Sequence, residues 1–503
     1  MIRKKELTLL FVLFVFCLAL RFAFLTQKNM WFDEVFSWHI SQGSFKDIIA
    51  DTSVDIHPPL YYFILKVWEF VFGQSVSALR ILSVILASAA IFFIYPISRK
   101  VLNIENSILV ILLYSISPLN LFFSQEVRMS ALNLFLNAGS IFFLIKILES
   151  EADIKTFFKK IYTYGYIVFT LLALYTHYFS FLMLAAQVLF IFYTYKKQSK
   201  KIIQYAIIYI IIVLPYLPWL PTMFMQVAKG QSWRYSHSIS IVIKEFYKFI
   251  KDLSIGFYFR YTDRTLPEIL GIITLFIFCL VLFLIFKQVF TNKKEFVKRD
   301  MYRNRAVTLI IFTAIIPIFL AVLISFRQWI EYFRYLSIII PFILIVLVLA
   351  FENLNKWFRI IILVVFIITN LYGDYLYYKY DFKNNDYREL IRILNERNTN
   401  QDNIFVYPHY FGWIINYYRI ENNLNYPAPF NYGWEFSMLL DSVKVEKPEN
   451  LWLVMDYHSA DQPTYTEKLN SLVKVYKISY VQKFRVEPDT VALYKLEKVP
   501  HSP

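Results

Sequence analysis

Apolar residues along this chain come in long blocks separated by short polar connectors. The blocks lie near 7–25, 78–98, 107–124, 128–148, 162–177, 178–195, 202–220, 266–287, 306–326, 334–351 and 358–376. Runs of roughly eighteen apolar residues or more have the length a helix needs to cross a bilayer, so about eleven spans are expected. After Tyr377 the pattern changes. Tyr387 to Arg397 has the spacing of an amphipathic helix, and Thr464 to Leu472 is a second candidate helix. Ile404 to Tyr407 and Leu451 to Met455 read as buried strands, and Val473 to Val486 and Val491 to Leu496 as strand-like. Strands interleaved with helices predict a small α/β domain. The expected division is therefore a mainly α, multipass membrane module over 1–376 and a soluble α/β domain over 377–503.

The connectors alternate in charge. Arg3-Lys4-Lys5, Arg99-Lys100, Lys159-Lys160, Lys196-Lys197, Lys200-Lys201, Lys293-Lys294, and Lys356 with Arg359 occupy every second one. Basic connectors stay in the cytoplasm. The N-terminus is thus expected inside and the C-terminal domain outside, at the plasma membrane. The first block follows a basic stretch, but no small-residue cleavage site follows it, which predicts an uncleaved first helix. Two outward connectors, 26–77 and 221–265, are long enough to carry structure or function. Val35 to Ile40 suggests a short interfacial helix in the first. Ile239 to Ile255 suggests a surface helix in the second, which reads as a solvated amphipathic connector.

Composition agrees with a membrane setting. The 503 residues are 58% hydrophobic with mean hydropathy +0.47, above the ~45–50% apolar content of soluble domains. The net charge of +15 resides largely in the connectors, and no soluble segment shows a basic face with base-stacking aromatics, so nucleic acid is not an expected partner. Cys17 and Cys279 both lie inside apolar blocks, where neither a disulfide nor a zinc site is expected. No Gly-rich phosphate loop, Walker signature or Ser-His-Asp pattern is present, and there are ten glycines. A cytoplasmic nucleotide sugar is therefore not the expected donor.

The outward rims carry the candidate chemistry. Trp31-Phe32-Asp33-Glu34 places two carboxylates just past the first block. A carboxylate there can serve as general base on an acceptor hydroxyl. Adjacent helical residues point about 100° apart, so Asp33 and Glu34 are expected to divide their roles. Ser124-Gln125-Glu126-Val127-Arg128-Met129 lies at the next outward turn. Arg128 either pairs with Glu126 or grips a phosphate, for which its fork is suited. His57, before Pro58-Pro59, and His177, before Tyr178, are two of the seven histidines and are candidates for hydrogen-bonding a substrate. Arg327, Glu331, Arg334 and Tyr335 form a later outward cluster that suits a phosphate lipid head. Arg21 and Arg80 read as snorkelling residues. Asp33, Glu126 and His57 are possible ligands of a divalent cation, but their spacing fits no standard metal motif.

These residues together resemble the family 39-like membrane glycosyltransferases of the GT-C superfamily, the group of the protein O-mannosyltransferases and the lipid A aminoarabinose transferases. The resemblance runs through Trp31-Phe32-Asp33-Glu34, His57-Pro58-Pro59-Leu60-Tyr61-Tyr62, Gly73, Arg80, Ser124 to Leu132 and Tyr175-Thr176-His177-Tyr178-Phe179. Arg334-Tyr335 and Pro341 match more loosely. The pattern departs at Ser130, where many relatives carry Tyr. The resemblance implies inverting transfer of a sugar from a polyprenyl-phosphate donor to an extracytoplasmic acceptor, whether protein, lipid or glycan. It implies Asp33 as the base, with Glu34 beside it, and Arg128 and Arg334 at the lipid phosphate. A transporter or flippase for lipid-linked sugars is the alternative. Such proteins carry ionisable groups or broken helices near mid-membrane and often inverted repeats, whereas here the acids lie at the rims and no repeat is evident.

Overall fold

The structure is a computed structural model. It describes residues 4–150, 154–229, 238–256, 265–291, 301–327, 332–352, 354–379, 386–408, 410–425, 427–429, 436–457, 462–486 and 489–499. Arg3, Lys293, Lys294 and Glu331, named above, lie outside these residues.

The helices in chain order are α1 (Lys4–Phe22), α2 (Phe32–Gln42), α3 (Phe45–Val54), α4 (Leu60–Phe72), α5 (Val76–Ala89), α6 (Ile91–Ser98), α7 (Ile104–Ser115), α8 (Pro118–Ser124), α9 (Ser130–Ser150) and α10 (Ile154–Phe157). They continue with α11 (Ile161–Leu174), α12 (Ser180–Tyr195), α13 (Ser199–Val213), α14 (Leu220–Lys229), α15 (Ile239–Ile255), α16 (Thr265–Thr291), α17 (Met301–Ser325), α18 (Tyr332–Tyr335), α19 (Ile340–Phe351) and α20 (Lys356–Lys379). Then come α21 (Tyr387–Arg397), β1 (Asn403–Tyr407), α22 (Tyr410–Glu421), α23 (Phe436–Glu446), β2 (Asn450–Tyr457), α24 (Gln462–Val473), β3 (Tyr476–Val486) and β4 (Asp489–Lys498).

The chain divides into two compact units. The first comprises Met1–Ala23, Gly43–Phe70 and Arg80–Lys379, and the second Phe24–Gln42, Val71–Leu79 and Tyr380–Pro503. The second unit holds the chain after Lys379. The second unit also takes in 24–42 and 71–79, which the sequence pattern assigned to the membrane module.

Each of the eleven expected blocks overlaps helix, but fewer helices are long enough to span alone. Among the described residues, six helices are long and apolar enough to cross a bilayer, or seven when α7 and α8 count as one span bent by 59°. The bend has a local cause. Pro118 opens α8 at its first helical position, and a residue before proline is disfavoured in the helical region. Polar side chains join the helices inside. Tyr166 donates to Gln187 Oε1 at 2.7 Å, and the hydroxyls of Ser140 and Thr170 lie 2.8 Å apart. Such bonds hold helices together where burial supplies little drive.

Two expectations are corrected here. Arg21 and Arg80 do not snorkel: both are buried. Arg21 is 0% exposed and donates to Cys17 Sγ at 2.7 Å and to the Tyr114 carbonyl, at the end of α7, at 3.4 Å. Likewise α15 is not a solvated connector throughout. Its last residues, Phe249 to Ile255, are all buried, Lys251 and Asp252 included. Lys251 Nζ lies 2.6 Å from Glu268 Oε1 on α16. Gly373 of α20 lets these helices approach. A Cβ there would sit 2.6 Å from both the Ile255 carbonyl oxygen and Pro118 Cγ.

The second unit holds a four-stranded sheet of order β1-β2-β4-β3. β1 and β2 are parallel, with Phe405 opposite Leu453, and the other pairs are antiparallel. The parallel step needs a crossover, which α22 and α23 supply. Phe405, Leu439, Leu451, Leu453, Leu472 and Leu496 anchor its core.

Candidate active site

The first unit gathers several of the candidate residues where α3 ends. The α3 start is fixed by a capping box, Ser44 with Asp47, a signal present in the sequence. Asp55 caps its other end, and the rigid Pro58-Pro59 turn follows. The Leu60 amide donates to the Tyr175 carbonyl at 3.2 Å, which pins that turn to the end of α11.

Within this turn His57 is buried, and its Nδ1 lies 3.1 Å from Asp55 Oδ2. A carboxylate on Nδ1 holds that proton and presents Nε2 as an acceptor when the ring is neutral. Burial pushes the Asp55 carboxyl up. The hydrogen bond and charge of His57, the Ile56 amide and the Arg128 charge outweigh it, and together hold the group below its usual value. Asp55 was not picked out from the sequence. The signal was its place two residues before His57, a spacing that lets a turn fold the carboxylate back onto the ring.

His177 faces His57, with ring centroids 5.4 Å apart. Its Nδ1 accepts the Phe179 amide at 3.1 Å, so Nε2 carries the proton of the neutral ring. Tyr335 completes the group. Its ring lies 5.2 Å from His177 and stacks on Phe179 at 4.8 Å. The Tyr178 hydroxyl accepts from Trp219 Nε1 at 3.1 Å and donates to Gln226 Oε1. Gln226 in turn donates to the Thr52 carbonyl at 2.7 Å, at the end of α3. Four stretches, 52–60, 175–179, 219–226 and that of Tyr335, thus meet one another around this turn.

Glu126 and Arg128 are both buried between α8 and α9. Ser83 Oγ donates to the Glu126 carbonyl at 2.5 Å. Gln125 donates to the carbonyls of Arg21 and Ala23, at 2.7 and 2.8 Å, and fixes this turn against α1. Arg334 is half-buried beside Tyr335 in α18. The structure therefore brings together His57, His177 and Tyr335, and the charge of Arg128 is felt at Asp55.

Asp33 and Glu34 belong to the second unit, in the first turn of α2. Glu34 is 0% exposed and its Oε2 accepts the Trp31 amide at 3.3 Å, a carboxylate on an unsatisfied helix-start donor. Asp33 is half-buried. Among the described residues, no group of three or more His, Cys, Asp or Glu side chains is arranged to hold a metal ion.

The fold is similar to that of several solved structures. Two crystal structures of ArnT from Cupriavidus metallidurans superpose with TM-score 0.58. The apo form is 12% identical, over 96% of this chain and 97% of that one. The form bound to undecaprenyl phosphate is 11% identical, over 98% of each. The archaeal oligosaccharyltransferase AglB from Archaeoglobus fulgidus, in complex with an inhibitory peptide and a dolichol-phosphate, gives TM-score 0.52 at 11% identity, over 95% of this chain and 74% of that one. At such identities the likeness defines the fold. The family model described as dolichyl-phosphate-mannose-protein mannosyltransferase matches residues 56–219, a stretch that holds His57, Glu126, Arg128 and His177. No curated protein sequence matches the chain.

Proposed function

We propose that this chain is an integral membrane glycosyltransferase that moves a sugar from a polyprenyl-phosphate donor to an acceptor outside the cytoplasm. The observation that carries the reading is the convergence of Asp55, His57, His177 and Tyr335, within the influence of Arg128, in a GT-C fold whose stretch 56–219 matches the mannosyltransferase model.

The acceptor hydroxyl attacks the anomeric carbon, and Asp33 takes its proton. The bond from that carbon to the phosphate oxygen breaks with inversion. Its electron pair leaves on the lipid phosphate, where Arg128 and Arg334 stabilise the added charge. His57 and His177, held in complementary tautomers, offer one acceptor and one donor to the bound sugar or phosphate. Glu34 braces the start of α2 beside the base, and Glu126 lies next to Arg128. We assign the site to the outer face of the plasma membrane.

The test is transfer from polyprenyl-phosphate sugars in detergent, with native chain and Asp33→Asn. Turnover is expected to fall at least about a hundredfold, the lower range for loss of a general base. Normal turnover in the variant removes Asp33 from that role. The bent α7–α8 pair is the feature a lipid-linked sugar transporter would share. Donor crossing vesicle membranes without transfer would select that reading instead.

A further inference from the structure

An eleven-residue helix such as α2 is marginal in water by itself. Packing must therefore set where its carboxylates point. Its packing partner is α22, a helix of the C-terminal region that is remote in sequence. The two pack together within the second unit.

The packing runs the length of α2. Just before it, the Met30 amide donates to Tyr418 Oη at 2.8 Å. At its first turn, Phe32 lies against Tyr410 at 4.9 Å and parallel to Trp413 at 6.1 Å. Further along, Phe36 and His39 meet the same indole at 5.7 and 4.6 Å. Trp38 is buried edge-on against Tyr417 at 5.1 Å.

A third strand of chain, 71–79, closes the arrangement through Gln74. Gln74 Oε1 accepts from Trp38 Nε1 at 3.2 Å, its Nε2 donates to Gln42 at 3.1 Å, and its carbonyl accepts from Tyr417 Oη at 3.1 Å. Gly73 sits at φ +83°, a left-handed turn that suits glycine and brings Gln74 round. Glu421, the last residue of α22, accepts the Val76 amide at 3.3 Å.

We propose that α22 is a clamp for the carboxylate helix. Trp413, Tyr417 and Tyr418 are then positioning residues for Asp33 and Glu34, and the C-terminal region sets the geometry of the base. Three aromatic side chains, Tyr410, Trp413 and Tyr417, and one glutamine, Gln74, hold α2 at its start, middle and end. A hydrogen bond from the backbone ahead of the helix sets its rotation and height together. A shift of about 1 Å at a reacting group is enough to cost about a hundredfold in rate.

The positioning role rests on Asp33 being the base, so one arm of the test needs no turnover. The full chain in detergent is compared with Tyr418→Phe, Trp413→Ala, both together, and the conservative Trp413→Phe. Transfer is measured as kcat and donor KM, and amide hydrogen exchange is followed over residues 30–42. Tyr418→Phe with Trp413→Ala is expected to lower kcat at least about tenfold, with donor KM within about twofold. Exchange over 30–42 should rise at least about tenfold while the strands keep native protection. Trp413→Phe should restore most of both. Unchanged exchange over 30–42 overturns the clamp, and so does a loosened α2 with native kcat. If the double variant fails to fold, Tyr418→Phe alone decides by the same readouts. If the native chain transfers no sugar, the proposed function fails while the exchange arm still decides the clamp.

Discussion

Asp55 offers a sharp test because its only assigned work is done through His57. Asp55→Asn keeps the size of the side chain and an amide oxygen that can accept the Nδ1 proton. It removes the charge. A hydrogen bond to a charged group contributes about 1.5–3 kcal/mol and a neutral one about 0.5–1.5 kcal/mol. The difference is about 1 kcal/mol, so kcat/KM is expected to fall about fivefold. Asp55→Ala removes the acceptor as well, at about 2 kcal/mol, for a fall of about thirtyfold. The assay is transfer kinetics at fixed detergent and donor, run as a double-mutant cycle with His57→Ala. If Asp55 acts only by orienting His57, then Asp55→Ala costs nothing further once the ring is gone. Equal losses in the two backgrounds would refute the dyad. The acid limb of stability adds a second check. The Asp55 carboxyl is held below its usual value, so its contribution is complete above the unfolded carboxylate range near 4 and is lost as pH falls through the lower folded value. Asp55→Asn should lack that part of the acid destabilisation.

Two further outcomes follow from the fold. Gly373→Ala places a methyl group 2.6 Å from the Ile255 carbonyl and from Pro118. Overpacking at such a contact costs about 1–3 kcal/mol, so the thermal midpoint in detergent should drop; an unchanged midpoint means the helices are not in close contact there. The proposed orientation places the C-terminal tail outside, so a cysteine-reactive tag appended there should label in intact cells, and labelling only after lysis reverses the orientation.

Much of this architecture was legible in the sequence, and the gaps have physical causes. Long apolar blocks impose helices in any fold of this kind, so each expected block overlaps helix. The strand at Ile404 to Tyr407 and the helix at Tyr387 to Arg397 also have their expected places, because the first is a short continuous run of β-branched and aromatic residues and the second repeats with the helical period. α22 was missed because it lacks one. Phe411, Gly412, Ile414, Ile415, Tyr417 and Tyr418 are buried around much of its circumference, against both the sheet and α2. The burial of α15 was missed because the partner that accepts Lys251 is Glu268, on another helix. The rim residues His57, His177 and Tyr335 could be singled out from the sequence. Their convergence, and the part played by Asp55, depends on how separate turns meet, which no spacing along the chain records.

The buried Arg21 bears on how the protein is made. During synthesis, the first helix reaches the bilayer carrying a guanidinium whose carbonyl partner at Tyr114 lies 93 residues downstream. An arginine handed to lipid costs about 2.5–3.5 kcal/mol at a helix centre on translocon scales and less toward an end, and Arg21 lies in the last turn of α1. Release of that segment into the lipid is thus best deferred until the later one emerges, and the two enter the membrane as partners in assembly.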